Sequence, residues 1–210
     1  PPFFFWGEMG SRVYARAVDA TGTPAGPRAL VGEGARDGSL PAIASDGTGF
    51  LVAWNEPVTE QSSILRVQRL DADGARIGGA IELSPTSYSS PALAWVGGVY
   101  VVAWLDWSPE AGARIVGARI LGGGTVVDEA PFAISRGTDA TIGGHAPTIA
   151  SSGDQALVAW ISGFQETQVV EAARVGADGQ VLDGEDIRRA GFDRSTGGPA
   201  AAWNGQTYLV

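Results

Sequence analysis

The side chains of this chain that could do chemistry are few, and their spacing suits structure better than reaction. His145 is the only histidine and cysteine is absent, so disulfides and thiolate metal sites are excluded. A histidine metal cluster or a Ser-His-Asp relay lacks parts unless His145 itself serves, in Gly143-Gly144-His145-Ala146. Acids are plentiful, with Asp and Glu totalling 23. A carboxylate pair for glycoside hydrolysis therefore stays open, yet no spacing selects any two of them. The run Asp71-Ala72-Asp73-Gly74 offers two carboxylates to calcium, a cation that takes several oxygens from a compact loop. Its counterparts, Gly122-Gly123-Gly124 and Ala177-Asp178-Gly179, offer none and one. The plainer reading is a hairpin turn in which Asp bonds its own backbone and Gly takes positive φ. No cofactor is expected, calcium being the one considered. Arg69, Arg119 and Arg174 recur at one position of a repeated strand. Hairpin register sets Arg69 beside Asp46 and Arg174 beside Asp154, as pairs that clamp turns. Arg119 faces Gly97-Gly98 and is left with a carbonyl or solvent. No catalytic residue is assigned.

The elements that must position these groups follow from a repeat. The phrase PAIASDGTGFLVAW at Pro41 to Trp54 returns at Pro91, Pro147 and Pro199, with a partial copy, FFFW, at Phe3 to Trp6. The unit is about 50 residues long, a period that signals stacked units, because one unit cannot bury its own apolar face. Each unit reads as four short strands, A to D: Ala42 to Ala44, Phe50 to Trp54, Ile64 to Leu70 and Arg76 to Leu83 in the first complete copy. The next gives Val99 to Trp104, Ile115 to Ile120 and Thr125 to Ile134 as B, C and D. The third gives Ala156 to Trp160, Val169 to Val175 and Gln180 to Ile187. Trp6, Trp54, Trp104 and Trp160 stand at one strand B position. Repetition in register assigns them to packing between units rather than to a ligand ladder.

Composition agrees. Gly at 31 and Pro at 12 punctuate short apolar runs, an all-β pattern. The net charge of −9 and scattered Arg argue against a nucleic-acid partner, which needs a basic stripe. The uncharged stretch Leu83 to Leu105 is long enough to raise a membrane span, but Pro91 and Gly97-Gly98 divide it into a hairpin.

Four antiparallel strands per period are the signature of β-propeller blades. The expected organisation is a single repeat region over 1–210, with partial blades 1–40 and 199–210 around blades 41–90, 91–146 and 147–198. Either the terminal strands close a small ring, or the chain is an arc of a larger propeller within a longer parent chain, the version that matching strand B ends favour. The phrase P-x-I/L-A-x-x-G-x-x-F/Y-L-V-A-W, followed by Arg69-Leu70-Asp71-Ala72-Asp73-Gly74, resembles repeats of large secreted or surface-anchored bacterial propeller proteins. That resemblance implies an extracellular or cell-surface location and no established activity. Signatures of WD40, kelch and sialidase-type propellers are not reproduced.

On such a scaffold the B-to-C and D-to-A loops share one rim, and here they vary most. They carry Glu56, Glu60, Asp106, Trp107, Glu110, Phe164 and Glu166, then Tyr88, His145, Arg189, Phe192 and Arg194. Aromatics among acids suit a glycan or protein ligand, and Glu56, Asp106, Trp107, Phe164 and Tyr88 are the candidate contacts. The expected function is a non-catalytic binding or adhesion module. A carbohydrate-active hydrolase and a structural spacer are the alternatives.

Overall fold

The computed structural model describes residues 11–35, 40–58, 63–108, 112–136, 145–163, 168–183, 188–191 and 198–210. Trp6, Phe164, Glu60, Glu110, Glu166, Phe192 and Arg194 lie outside them. The described secondary structure is all β. β1 (Ser11–Val18) and β2 (Pro24–Ala35) form a two-stranded sheet. Three four-stranded antiparallel sheets follow. They are β3 (Ala42–Ser45), β4 (Phe50–Pro57), β5 (Ser63–Leu70) and β6 (Arg76–Ser87); then β7 (Ala92–Val96), β8 (Val99–Ser108), β9 (Gly112–Leu121) and β10 (Phe132–Ala133); then β11 (Thr148–Ser151), β12 (Gln155–Ser162), β13 (Val169–Gly176) and β14 (Arg188–Gly191). β15 (Ala202–Trp203) and β16 (Tyr208–Leu209) end the chain as a second pair.

Within each four-stranded sheet, strands pair in sequence order, as a meander. The first strands β3, β7, β11 and β15 lie beside one another in succession, so the sheets stack in chain order as propeller blades do. Each central sheet is covered on both faces, which is why its B strand is a continuous apolar run rather than an alternating one. In β8, Val99 through Leu105 are all buried.

Four clusters fill the gaps between sheets, and the tryptophans sit in three of them. Trp54 packs with Val13 and Val31 of the first sheet. Trp104 packs with Leu51, Ala53 and Leu65 of the second, and Trp160 with Val101, Ala103 and Ile115 of the third. Each indole thus faces the preceding sheet. Trp54 also fixes the residue it meets: a Cβ on Gly32 would stand 2.5 Å from the indole Cζ2.

Strand D departs from the reading of the sequence. In the second complete sheet Val126 makes only an isolated bridge to Ile120, and pairing resumes at Phe132–Ala133. In the third, Val181 bridges Val175 and pairing resumes at Arg188. The cause is a side chain that takes the place of a ladder carbonyl. The Arg119 amide donates to Asp128 Oδ2 at 2.7 Å, and the Arg174 amide to Asp183 Oδ2 at 2.6 Å. Among the described residues, no helix is long and apolar enough to cross a membrane, and Leu83 to Leu105 runs through the ends of β6, β7 and β8.

Candidate functional site

The B-to-C and D-to-A loops meet at one edge of the sheets. β8 runs past the buried core to Ser108 because its last residues pair with β9, Asp106 opposite Arg114 and Trp107 opposite Ala113. The loop after β6 is tied down to it. The Tyr88 amide donates to the Leu105 carbonyl at 3.0 Å, the Leu105 amide to Ser89 Oγ at 3.3 Å, and Asn55 Nδ2 to the Ser89 carbonyl at 2.7 Å. Tyr88 and Trp107 are thereby brought together, ring centroids 5.6 Å apart at 64°, with 38% and 40% of their surface exposed.

Asp106, whose side chain leaves β8 on the face opposite to that of Trp107, is held on two sides. Thr86 Oγ1 donates to its Oδ1 at 2.7 Å, and Arg114 Nε and Nη2 donate to Oδ2 at 3.3 and 3.2 Å. The carboxylate is mostly covered, whereas the Arg114 side chain is 40% exposed. A partly exposed aromatic pair can hold a ligand by stacking.

Of the sequence candidates, Tyr88 and Trp107 are brought together, and Asp106 is paired separately with Thr86 and Arg114. Glu56 lies on the neighbouring sheet, paired with Arg66, which also stands 3.9 Å from Glu82. His145 is half-buried just before β11, and Arg189 is on β14. Phe164 falls outside the described residues. Thr86 and Arg114 carry no signal of their own in the sequence, since only strand register brings them to Asp106.

The recurring arginines sit at the C-to-D end of the sheets, and Arg69 and Arg119 bridge their sheet to the next. Arg69 Nη1 is 3.2 Å from Asp46 Oδ2 and donates to Tyr100 Oη of the following sheet at 3.1 Å. Burial works against the Asp46 carboxylate, but hydrogen bonds from the Thr48 amide and hydroxyl, the Gly49 amide and Tyr100 outweigh it and bring its pKa to about 2. Burial pushes the Tyr100 hydroxyl up to about 12; Arg69 opposes the rise and Asp46 adds to it.

One arginine pairing differs from that read in the sequence, and another gains an acid beside the expected carbonyl. Arg174 binds Asp183 at 2.7 Å, not Asp154, which accepts from Ser152 Oγ. Arg119 is not left with solvent: it binds Asp128 at 2.6 Å and also reaches the Ala177 carbonyl of the next sheet at 3.3 Å. The hydrogen bonds that Arg119 and Arg174 donate to Asp128 and Asp183 hold both guanidinium groups above their ordinary range. The signal was present as Arg119 to Asp128 and Arg174 to Asp183 at one shared spacing, with glycine at the same offset from Arg69.

The Asp71 turn uses its own acid. Asp71 Oδ1 accepts from the Asp73 and Ala75 amides at 3.0 and 2.8 Å. Among the described residues no three His, Cys, Asp or Glu side chains gather as for a metal.

A cleft of about 690 Å³ opens against the far face of β12 and β13, lined by Leu157, Val170, Ala172, Arg174 and Tyr208 among others. The corresponding faces of the earlier sheets are covered. There, Arg69 lies against Gly124 and Arg119 against Gly179, in the turns after strand C of the next sheet.

No family model matches the chain, and no curated protein matches it. Solved structures resemble it. The alpha-L-arabinofuranosidase from Lactobacillus brevis superposes with a TM-score of 0.54 at 13% identity, over 87% of this chain and 69% of that one. A subtype N10 neuraminidase-like protein of A/little yellow-shouldered bat/Guatemala/060/2010 aligns at TM-score 0.46 and 13% identity, over 74% of this chain. The chain spans 46% of that protein's length. A neuraminidase-like protein from A/bat/Guatemala/164/2009 gives 0.48 and 13%, over 74% and 41%. At such identity the likeness to the arabinofuranosidase is one of fold: a β-rich chain resembling propeller proteins.

Proposed function

We propose that this chain is a non-catalytic binding or adhesion module of an extracellular bacterial protein, one of the secreted or surface-anchored propeller repeats, and that it takes a glycan or protein ligand on the rim where Tyr88 meets Trp107. The observation that carries the reading is this exposed aromatic pair, held by loops pinned to a rigid core. Among the described rim acids, Glu56 and Asp106 each accept hydrogen bonds from an arginine of their own sheet, Arg66 and Arg114, which holds both carboxylates in place. A carbohydrate-active hydrolase ranks second, favoured by the fold likeness to the arabinofuranosidase. The discriminating experiment is a glycoside panel alongside ligand capture. Retention without turnover is expected; turnover that disappears with one acidic substitution would establish the hydrolase, and neither retention nor turnover a spacer.

For the architecture, an arc of a larger propeller is the preferred version and a small closed ring the alternative. The cleft beside β13 is the seat that strand C of a following sheet fills elsewhere, and β1 of this chain would fill it in a ring. The absence of cysteine makes the test clean. Cysteines placed at Leu209 and Ala17, the positions that correspond to Leu51 opposite Arg69, would form an intramolecular disulfide if β16 pairs with β1 to close a ring, and none is expected.

A further inference from the structure

Resting on the reading of the chain as an arc of a longer propeller, we infer that the open face of β12 and β13 is a docking surface for a β-strand that ends in a tight glycine turn, and that Arg174 recognises the turn. The interface is already half built. β15 and β16 stand at this face as the first two strands of a following sheet, with Tyr208 packed on its apolar residues. Trp203 meets Tyr208 at 4.6 Å as Trp95 meets Tyr100 at 4.7 Å. Among the described residues β16 pairs with β15 alone, so its other edge offers backbone groups to a further strand. Beside it lies the cleft of about 690 Å³, floored by Leu157, Val170 and Ala172.

Two filled copies of this seat show what it takes. Leu157 stands opposite Arg174 as Leu51 stands opposite Arg69 and Val101 opposite Arg119. Val116, Ala118 and Ile120 of β9 pack with Leu51, and Ala173 and Val175 of β13 pack with Val101. Both strands read as alanine, a β-branched residue two positions on, and glycine four further, at Gly124 and Gly179. Those glycines have φ of +94° and +82°, and a Cβ on them would stand 3.3 Å from Arg69 Cγ and 3.1 Å from Arg119 Nε. A side chain there would be strained and would press on the arginine.

Arg174 is the member of the series that still lacks such a partner. Arg69 Nη1 donates to Tyr100 Oη and Arg119 Nη1 to the Ala177 carbonyl, each in the following sheet. Arg174 commits Nε and Nη2 to Asp183, and its Nη1 has no acceptor among the described residues. Its side chain is 39% exposed, against 12% and 19% for Arg69 and Arg119. A free guanidinium edge beside an apolar floor suits a turn carbonyl at the end of an apolar strand. β1 of this chain fits poorly. Arg16 stands six residues before its turn glycine, Gly22, where β9 and β13 have alanine, and docking would set that charge on the apolar floor.

The test uses the whole chain and a fluorescein-labelled peptide of residues 112–127, which carries strand C and its turn from the second complete sheet, with binding read by fluorescence anisotropy. Saturable binding is expected. Arg174→Ala should weaken it about tenfold, Gly124→Val in the peptide should abolish it, and Ile77→Ala in the chain should change nothing. Thermal melts of the chain variants separate lost docking from lost folding. Binding indifferent to Arg174→Ala or to Gly124→Val overturns the inference and leaves the arc reading standing. Absence of binding also overturns it, and the arc reading falls as well only if the disulfide between positions 209 and 17 forms, because β1 then fills the seat. Self-association of the chain in sedimentation, lost with Arg174→Ala, would overturn it in favour of a second copy as the occupant.

Discussion

Asp46 shows how one carboxylate acquires a stabilising role from its surroundings. Its side chain is covered, faces Arg69 at 3.2 Å, and accepts from the Thr48 and Gly49 amides at 2.8 Å each. Hydrogen bonds to a charged acceptor contribute about 1.5 to 3 kcal/mol apiece before compensation, so Asp46→Ala is expected to lower unfolding free energy by about 2 kcal/mol, measured by urea denaturation. The pH dependence has a definite sign. The folded carboxyl titrates at about 2, below the ordinary 3.8, so its stabilisation is complete above 3.8 and is lost as pH falls toward 2. Asp46→Asn should flatten that part of the acid unfolding curve. A second contrast concerns the indoles. Trp160 Nε1 donates to the buried Glu171 carboxylate at 3.2 Å, whereas Trp104 Nε1 finds no acceptor among the described residues. Phenylalanine at 160 should therefore cost about 1 to 3 kcal/mol more than phenylalanine at 104, because only the former strips a partner from a buried charge. Equal losses would contradict the assignment.

At the scale of strands, the sheets are joined by pairs of complementary surfaces rather than by the chain alone. Gly32 in β2 and Trp54 in β4 are one such pair, and the indole leaves no room for a methyl group. Gly32→Ala is expected to destabilise by about 1 to 3 kcal/mol through displacement of the indole, visible as a lowered midpoint with a perturbed tryptophan spectrum. Strands A, B and C were legible in the sequence because alternation, turn residues and the repeat agreed. Among the complete units, strand D was legible only in the first, where Arg76 onward pairs with β5. In the others, the aspartate that returns to Arg119 or Arg174 replaces backbone pairing, a substitution that strand patterns do not encode.

Across the whole molecule, protection should follow the stacking order. The third and fourth sheets bury Val101, Val102, Val158 and Trp160 fully, while β15 and β16 are two-residue strands beside an open cleft. Amide exchange is expected to be slowest in β8 and β12 and fastest in 199–210, since opening costs least where few apolar contacts are broken. Uniform protection would mean that the last pair is covered as the others are. The sequence by itself determined the repeat, the all-β class, the strand B tryptophans as a recurring position and the loops that vary between units, because each of these is local or periodic. Tertiary structure decided that Tyr88 lies against Trp107 and that each indole packs on the preceding sheet; the Asp106–Arg114 and Arg174–Asp183 pairs span only eight and nine residues and were decided by hairpin register, which alternation alone does not fix. Contacts between sheets join segments far apart in the chain, where no local or periodic pattern reaches.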